Sequence, residues 1–141
     1  MKFLLFISIF FLNSYVYSTE LEGTWLCIDD GPQSIVIEKI TYKNNEFTSN
    51  MYTSFIYNAT NKPLNYETLI KGNWSVSGKK LIYNVHEVVI KALNDRAKIH
   101  VESLKKKFNS TNSYNSNINH ISSHRMSYWS STDGIIYCNK E

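Results

Sequence analysis

The sequence predicts a mainly β protein: an antiparallel up-and-down barrel of seven to eight strands, with one helix at about 95–108 between the fifth and sixth strands. Three observations carry that expectation. Stretches of strand-like sequence, each bounded by turn formers, follow one another in hairpin order. The two cysteines, Cys27 and Cys138, stand on the first and last of these stretches. Aromatic residues make up 14% of the chain, and its ten tyrosines and three tryptophans suit a pleated, half-buried surface better than a helix.

The N-terminus sets an address before it sets a fold. Met1 and Lys2 precede residues 3–12, in which Ser8 is the sole polar residue, and residues 13–18 then turn polar, the layout of a secretory signal peptide. The apolar stretch is about half the ~20 residues that a spanning helix needs, so no membrane anchor is expected after cleavage. Val16 and Ser18 are short side chains at the third and first positions before a cut between Ser18 and Thr19. Residues 1–18 are therefore expected as the signal peptide and residues 19–141 as a single secreted or periplasmic domain, a length that can bury its own core. No cysteine stands at the cut itself, which argues against a lipid-anchored lipoprotein. One unit of the formal +3 charge leaves with Lys2, and the remainder is too small to point to nucleic acid or an anionic membrane.

Residues 23–28 read as a first strand, ended by the turn formers Asp29-Asp30-Gly31-Pro32. In residues 34–42, Ile35, Ile37 and Lys39 share one face, and Val36, Glu38 and Ile40 share the other. Asn44-Asn45 is a tight hairpin turn. Residues 46–57 place Phe47, Met51, Phe55 and Tyr57 on one parity with Ser49 and Thr53 between them, and residues 58–63 break the strand. Residues 67–76 and 80–89 form a hairpin around Ser77-Gly78-Lys79, with Leu69, Trp74, Val76, Leu81, Tyr83 and Val85 as core donors.

The period then changes. Ala97, Val101, Leu104 and Phe108 recur at intervals of four, three and four, which is one helical stripe. Asn94 or Asp95 can cap its start, while Lys105-Lys106-Lys107 suit its negative end. The Asn- and Ser-rich residues 109–119 read as a loop leading into a strand at 118–122. Residues 125–130 and 134–139 make a last hairpin around Thr132-Asp133-Gly134.

In an oxidising compartment Cys27 and Cys138 are expected to pair, the alternatives being two free thiols or a bridge between chains. A bridge brings the first and last strands within about 4 to 7 Å between Cα atoms. An antiparallel sheet whose last strand returns to its first is a barrel. Trp25 shares a face with Cys27, and Ile136 with Cys138, so both are expected beside the cystine on the interior side.

Gly23-Thr24-Trp25, the second Gly72-Asn73-Trp74 with its Gly78 turn, and Asp133-Gly134-Ile135-Ile136-Tyr137-Cys138 together resemble small secreted bacterial proteins of the lipocalin-like (calycin) type. That resemblance implies a barrel plugged at one end by Trp25. The helix between the fifth and sixth strands departs from the C-terminal helix of ordinary lipocalins.

Catalytic and cofactor chemistry is not signalled. His100 alone of His86, His100, His120 and His124 falls on the helix, so no pair has zinc-protease spacing, and no metal or cofactor is expected. Gly-x-Ser-x-Gly and phosphate-loop patterns are missing from the sequence. Asn58, Asn73 and Asn109 match the glycosylation acceptor pattern, and in a bacterial host they would stay unmodified. The chain is thus expected to be no enzyme. Its barrel interior, with Trp25, Phe47, Met51, Phe55, Trp74 and Tyr83 as candidate lining, would take an apolar or amphipathic small molecule. The alternative is a protein-interaction module, such as a hydrolase inhibitor or immunity protein.

Overall fold

The computed structural model describes residues 18–57, 62–109, 112–130 and 134–141. Eight antiparallel strands form a closed barrel in sequence order: β1 (Gly23–Asp30), β2 (Ser34–Lys43), β3 (Glu46–Tyr57), β4 (Lys62–Ser77), β5 (Lys80–Ala92), β6 (Ser113–Ile121), β7 (Arg125–Ser130) and β8 (Gly134–Lys140). Two short helices, α1 (Asp95–Lys98) and α2 (Val101–Asn109), lie between β5 and β6. The fold class and the place of the helix are those the sequence predicts.

Closure is direct. β8 pairs with β1 so that Cys27 stands opposite Cys138, with the two Cα atoms 4.1 Å apart and the sulfurs bonded. Both cysteines are buried in one cluster with Trp25, and Ile136 packs against it from β8. Residues 18–21 are helical beneath this end. The Trp25 indole Nε1 donates to the Leu21 carbonyl at 2.7 Å, and Lys140 Nζ sits 5.1 Å from the Trp25 ring centre. Trp25, Tyr42, Leu21, Leu81 and Met126 are fully buried, so this end of the barrel is solid.

Turn chemistry fixes the hairpins. Asn44 and Asn45 both adopt positive φ (50° and 63°), the geometry whose twist matches paired strands, and Gly78 does the same at 60°. Gly72 answers a different demand. A Cβ there would lie 2.0 Å from the Asn84 carbonyl oxygen and 2.9 Å from the Phe47 ring, at the bulge where the β4–β5 register shifts. Only glycine allows this close approach.

Several boundaries move. Asp29 and Asp30 belong to β1, and the turn shrinks to residues 31–33, where Gly31 N donates to Ser34 O at 2.9 Å. β4 begins at Lys62 and β5 runs to Ala92, both beyond their sequence limits. The predicted helix is broken at Ile99 and His100 into α1 and α2. The loop expected over 109–119 is largely strand, since β6 starts at Ser113 and pairs through Asn117 with Lys80. Its alternation of Tyr114, Ser116 and Ile118 inward, with Asn between, is a period-two pattern hidden under turn-like composition. The expected cut after Ser18, the sequon at Asn58, most of that at Asn109, and the turn at Thr132-Asp133 lie at or outside the edges of the described residues.

Strand lengths are unequal, and this shapes the interior. β5 pairs with β6 only over Lys80–Asn84, so its second half rises past its neighbour, and α2 packs against it there. Asn94 anchors the helical segment: its side chain accepts from Ala97 N at 3.0 Å and donates to Pro63 O at 3.0 Å. The stripe Ala97, Val101, Leu104 and Phe108 faces Tyr66 and Ile90.

Unfolded without reductant, the protein is expected to show no free thiol by Ellman titration. Replacing both cysteines by alanine should lower unfolding stability by about 4 to 5 kcal/mol on the chain-entropy scale for so long a loop, read by urea denaturation. Two titratable thiols would contradict the closure.

Candidate functional site

Between the solid end and the helix the barrel is hollow. An outer chamber of about 420 Å³ is walled by Val36, Met51, Thr53, Phe55, Tyr66 and Ile90, and α2 covers it with Leu104 and Phe108. Deeper in lies an inner pocket of about 170 Å³, walled by Phe47, Ser49, Tyr83, Ser116, Tyr128 and the carboxylate of Glu38. Phe108 and Tyr114 line both spaces and so stand at the boundary between them. Phe55, Tyr66 and Leu104 also border a groove at the mouth that His100 and Ser103 reach from above.

Strand parity explains each wall residue. β2 turns Val36, Glu38, Ile40 and Tyr42 inward and leaves Ile35, Ile37 and Lys39 outside. β3 turns Phe47, Ser49, Met51, Thr53 and Phe55 inward. Small Ser49 and Thr53 alternate with large neighbours, and the room they leave is part of the cavity.

Glu38 is the group that sequence reasoning missed. Its parity with Val36 and Ile40 was visible, but an inward-facing carboxylate runs against the usual burial rule. It is enclosed by the barrel wall yet borders the inner pocket, so it keeps a part of its surface open to that space. Ser49 Oγ donates to its Oε1 at 2.5 Å, and Tyr128 Oη donates to its Oε2 at 3.4 Å. Burial pushes the Glu38 carboxyl above its ordinary value of 4.5, while the bonds from Ser49 and Tyr128 pull against that rise. Nearby, Tyr42 Oη and Tyr83 Oη share a hydrogen bond of 2.5 Å. Burial raises all three tyrosines, Tyr42, Tyr83 and Tyr128, well above the ordinary phenol value, and Glu38 adds to each rise. They stay neutral hydroxyls and work as hydrogen-bonding groups, not as bases.

The six predicted lining residues divide into two sets. Met51 and Phe55 wall the outer chamber, and Phe47 and Tyr83 wall the inner pocket. Trp25 and Trp74 instead belong to the solid end, where Trp74 meets the edge of Tyr42 with ring centres 5.3 Å apart. The four histidines are exposed, and no group of three or more metal-binding side chains exists among the described residues. No helix of the described residues is long and apolar enough to cross a membrane.

The raised Glu38 value fixes a sign for stability. The folded state holds the proton more tightly than the unfolded one, so Glu38 subtracts nothing below pH 4.5. As pH rises through the window from 4.5 to the raised folded value the penalty grows, and above that it is constant. Glu38→Gln removes the titration and keeps the shape. Its advantage over the native chain is expected to be small in acid and larger at neutral pH, measured by urea unfolding at both. An advantage independent of pH would contradict the buried carboxyl.

Compared with models of protein families and with curated proteins, the sequence matches none.

Proposed function

We propose that this is an exported, lipocalin-like binding protein that carries an apolar or amphipathic small molecule inside its barrel. The observation that carries the reading is the outer chamber of about 420 Å³, a size in the range of small-molecule sites, with walls that are mostly apolar. A filled eight-stranded barrel would use that space for its own side chains. Export rests on the signal-like N-terminus together with the disulfide, which persists in oxidising compartments. Removal of residues 1–18 would keep Glu20, whose carbonyl accepts from Lys140 Nζ at 3.0 Å, and the buried Leu21. No catalytic step is assigned.

One observation favours a second reading. Tyr137, Ile28, Ile37 and Tyr52 face outward in register across β8, β1, β2 and β3, with exposures from 36% to 66%. Such an apolar row fits a protein-interaction module of the inhibitor or immunity type.

Native mass spectrometry of the protein recovered outside the producing cells tests the reading. The expected species begins at Thr19, lacks two hydrogens for the disulfide, and carries a bound small molecule that denaturation releases. Thr53→Trp, which fills the chamber from a buried wall position, should abolish that added mass and any tryptophan fluorescence response to a fatty-acid and retinoid panel. Ligand-free protein, unresponsive to the panel and bound one to one by another protein, would favour the outer row instead.

A further inference from the structure

Within the barrel one feature stays unused by an apolar carrier: a carboxylate at the bottom of the cavity. A wall meant only for hydrocarbon would have no reason to hold Glu38 there. From the geometry of the inner pocket we infer that the ligand is an amphipathic amine, its ammonium head seated on Glu38 and its apolar tail running past Phe108 and Tyr114 into the outer chamber. The inference rests on the binding-protein reading and deepens it.

Four observations support it. Glu38 offers two oxygens with about four acceptor directions, and Ser49 and Tyr128 occupy two of them. Among the described residues no lysine, arginine or histidine lines the inner pocket, so the Glu38 carboxyl meets no cationic side chain of that wall. An isolated buried charge is costly unless it is paired, and a ligand cation supplies the pair. Five of the other wall residues are aromatic, Phe47, Tyr83, Phe108, Tyr114 and Tyr128, beside the aliphatic Ile40, Ile70 and Val85, and aromatic rings attract ammonium groups more than they attract anions. The connection between head and tail spaces is given by Phe108 and Tyr114, which border both.

The charged and titratable groups facing Glu38 do not alter the sign. Tyr42 from its own strand, Tyr83 from β5, Tyr114 from β6 and Tyr128 from β7 are phenols whose values burial raises, and Asp29 of β1, which raises Tyr128 further, is an acid of the same sign. Lys107 lines the outer chamber, away from the inner pocket. Without ligand, burial favours the protonated acid, and an ammonium ion favours the carboxylate. Binding at a pH near the ordinary value of 4.5 therefore releases a proton from Glu38 to solvent, with the ligand keeping its own.

The test uses three probes with one tail, decan-1-amine, decan-1-ol and decanoate, each below its micellar concentration, titrated by calorimetry into the full mature chain at neutral pH. The amine is expected to bind about tenfold or more tightly than the alcohol, the size of a charge-assisted hydrogen bond's advantage, and decanoate more weakly still. Glu38→Gln should bring the ratio of amine to alcohol close to one. As a readout independent of any variant, amine binding near pH 4.5 should show an enthalpy that changes with the buffer's ionisation heat, whereas alcohol binding should not. Equal binding of amine and alcohol, or tightest binding of decanoate through Lys107, would overturn the amine and leave the carrier standing. Binding of none of the three would overturn both.

Discussion

The pairing of the first strand with the last decides what the interior can be. With Cys27 opposite Cys138 in the β1–β8 ladder, the sheet has no free edge along that seam and water has no lateral way in. A side chain on the inner parity of β2 or β3 is then committed to the interior, whatever its polarity. Glu38 sits on that parity between Val36 and Ile40, and its raised carboxyl, the bond from Ser49 and the neutral tyrosines around it all follow from enclosure.

Unequal strands give the enclosure a direction. At the end where the N-terminal helical turn lies, Leu21, Trp25, Tyr42, Leu81 and Met126 fill the cross-section. At the other end β2 to β5 extend beyond the short β6 to β8, and a ring of side chains cannot close the gap. The helical segment does so, held by Asn94 to the start of β4 and by its stripe to Tyr66 and Ile90. A plug below and a helical cover above leave a mostly apolar outer chamber over an inner pocket that holds Glu38. The proposed amphipathic ligand would run along that axis.

Much of the architecture was legible in the sequence, because strand parity, turn residues and cysteine placement are local signals with a fixed geometric meaning. Asn44-Asn45 specified its hairpin, the stripe from Ala97 to Phe108 specified the covering helix, and Cys27 with Cys138 specified closure. The start of β6 was hidden, since the Asn and Ser residues of 113–117 look like a loop until pairing with β5 gives their backbone a partner. The candidate site was half legible. Phe47, Met51, Phe55 and Tyr83 line it as parity requires, whereas Trp25 and Trp74 carry the same parity and yet fill the solid end, because parity gives the face of a strand and not the height along the barrel. Glu38 was illegible for a different reason: its burial is a property of the closed wall, and no local pattern distinguishes it from a carboxylate on an open sheet.

The most direct measurement is a pH titration of the Glu38 side-chain carboxyl by carbon NMR on the ligand-free protein, assigned with Glu38→Gln. Enclosure requires a midpoint above 4.5, together with a slow response to added paramagnetic relaxation agent in solvent. A midpoint at or below 4.5 with ready access for the agent would mean that the carboxylate meets bulk water, and that the barrel does not enclose a site.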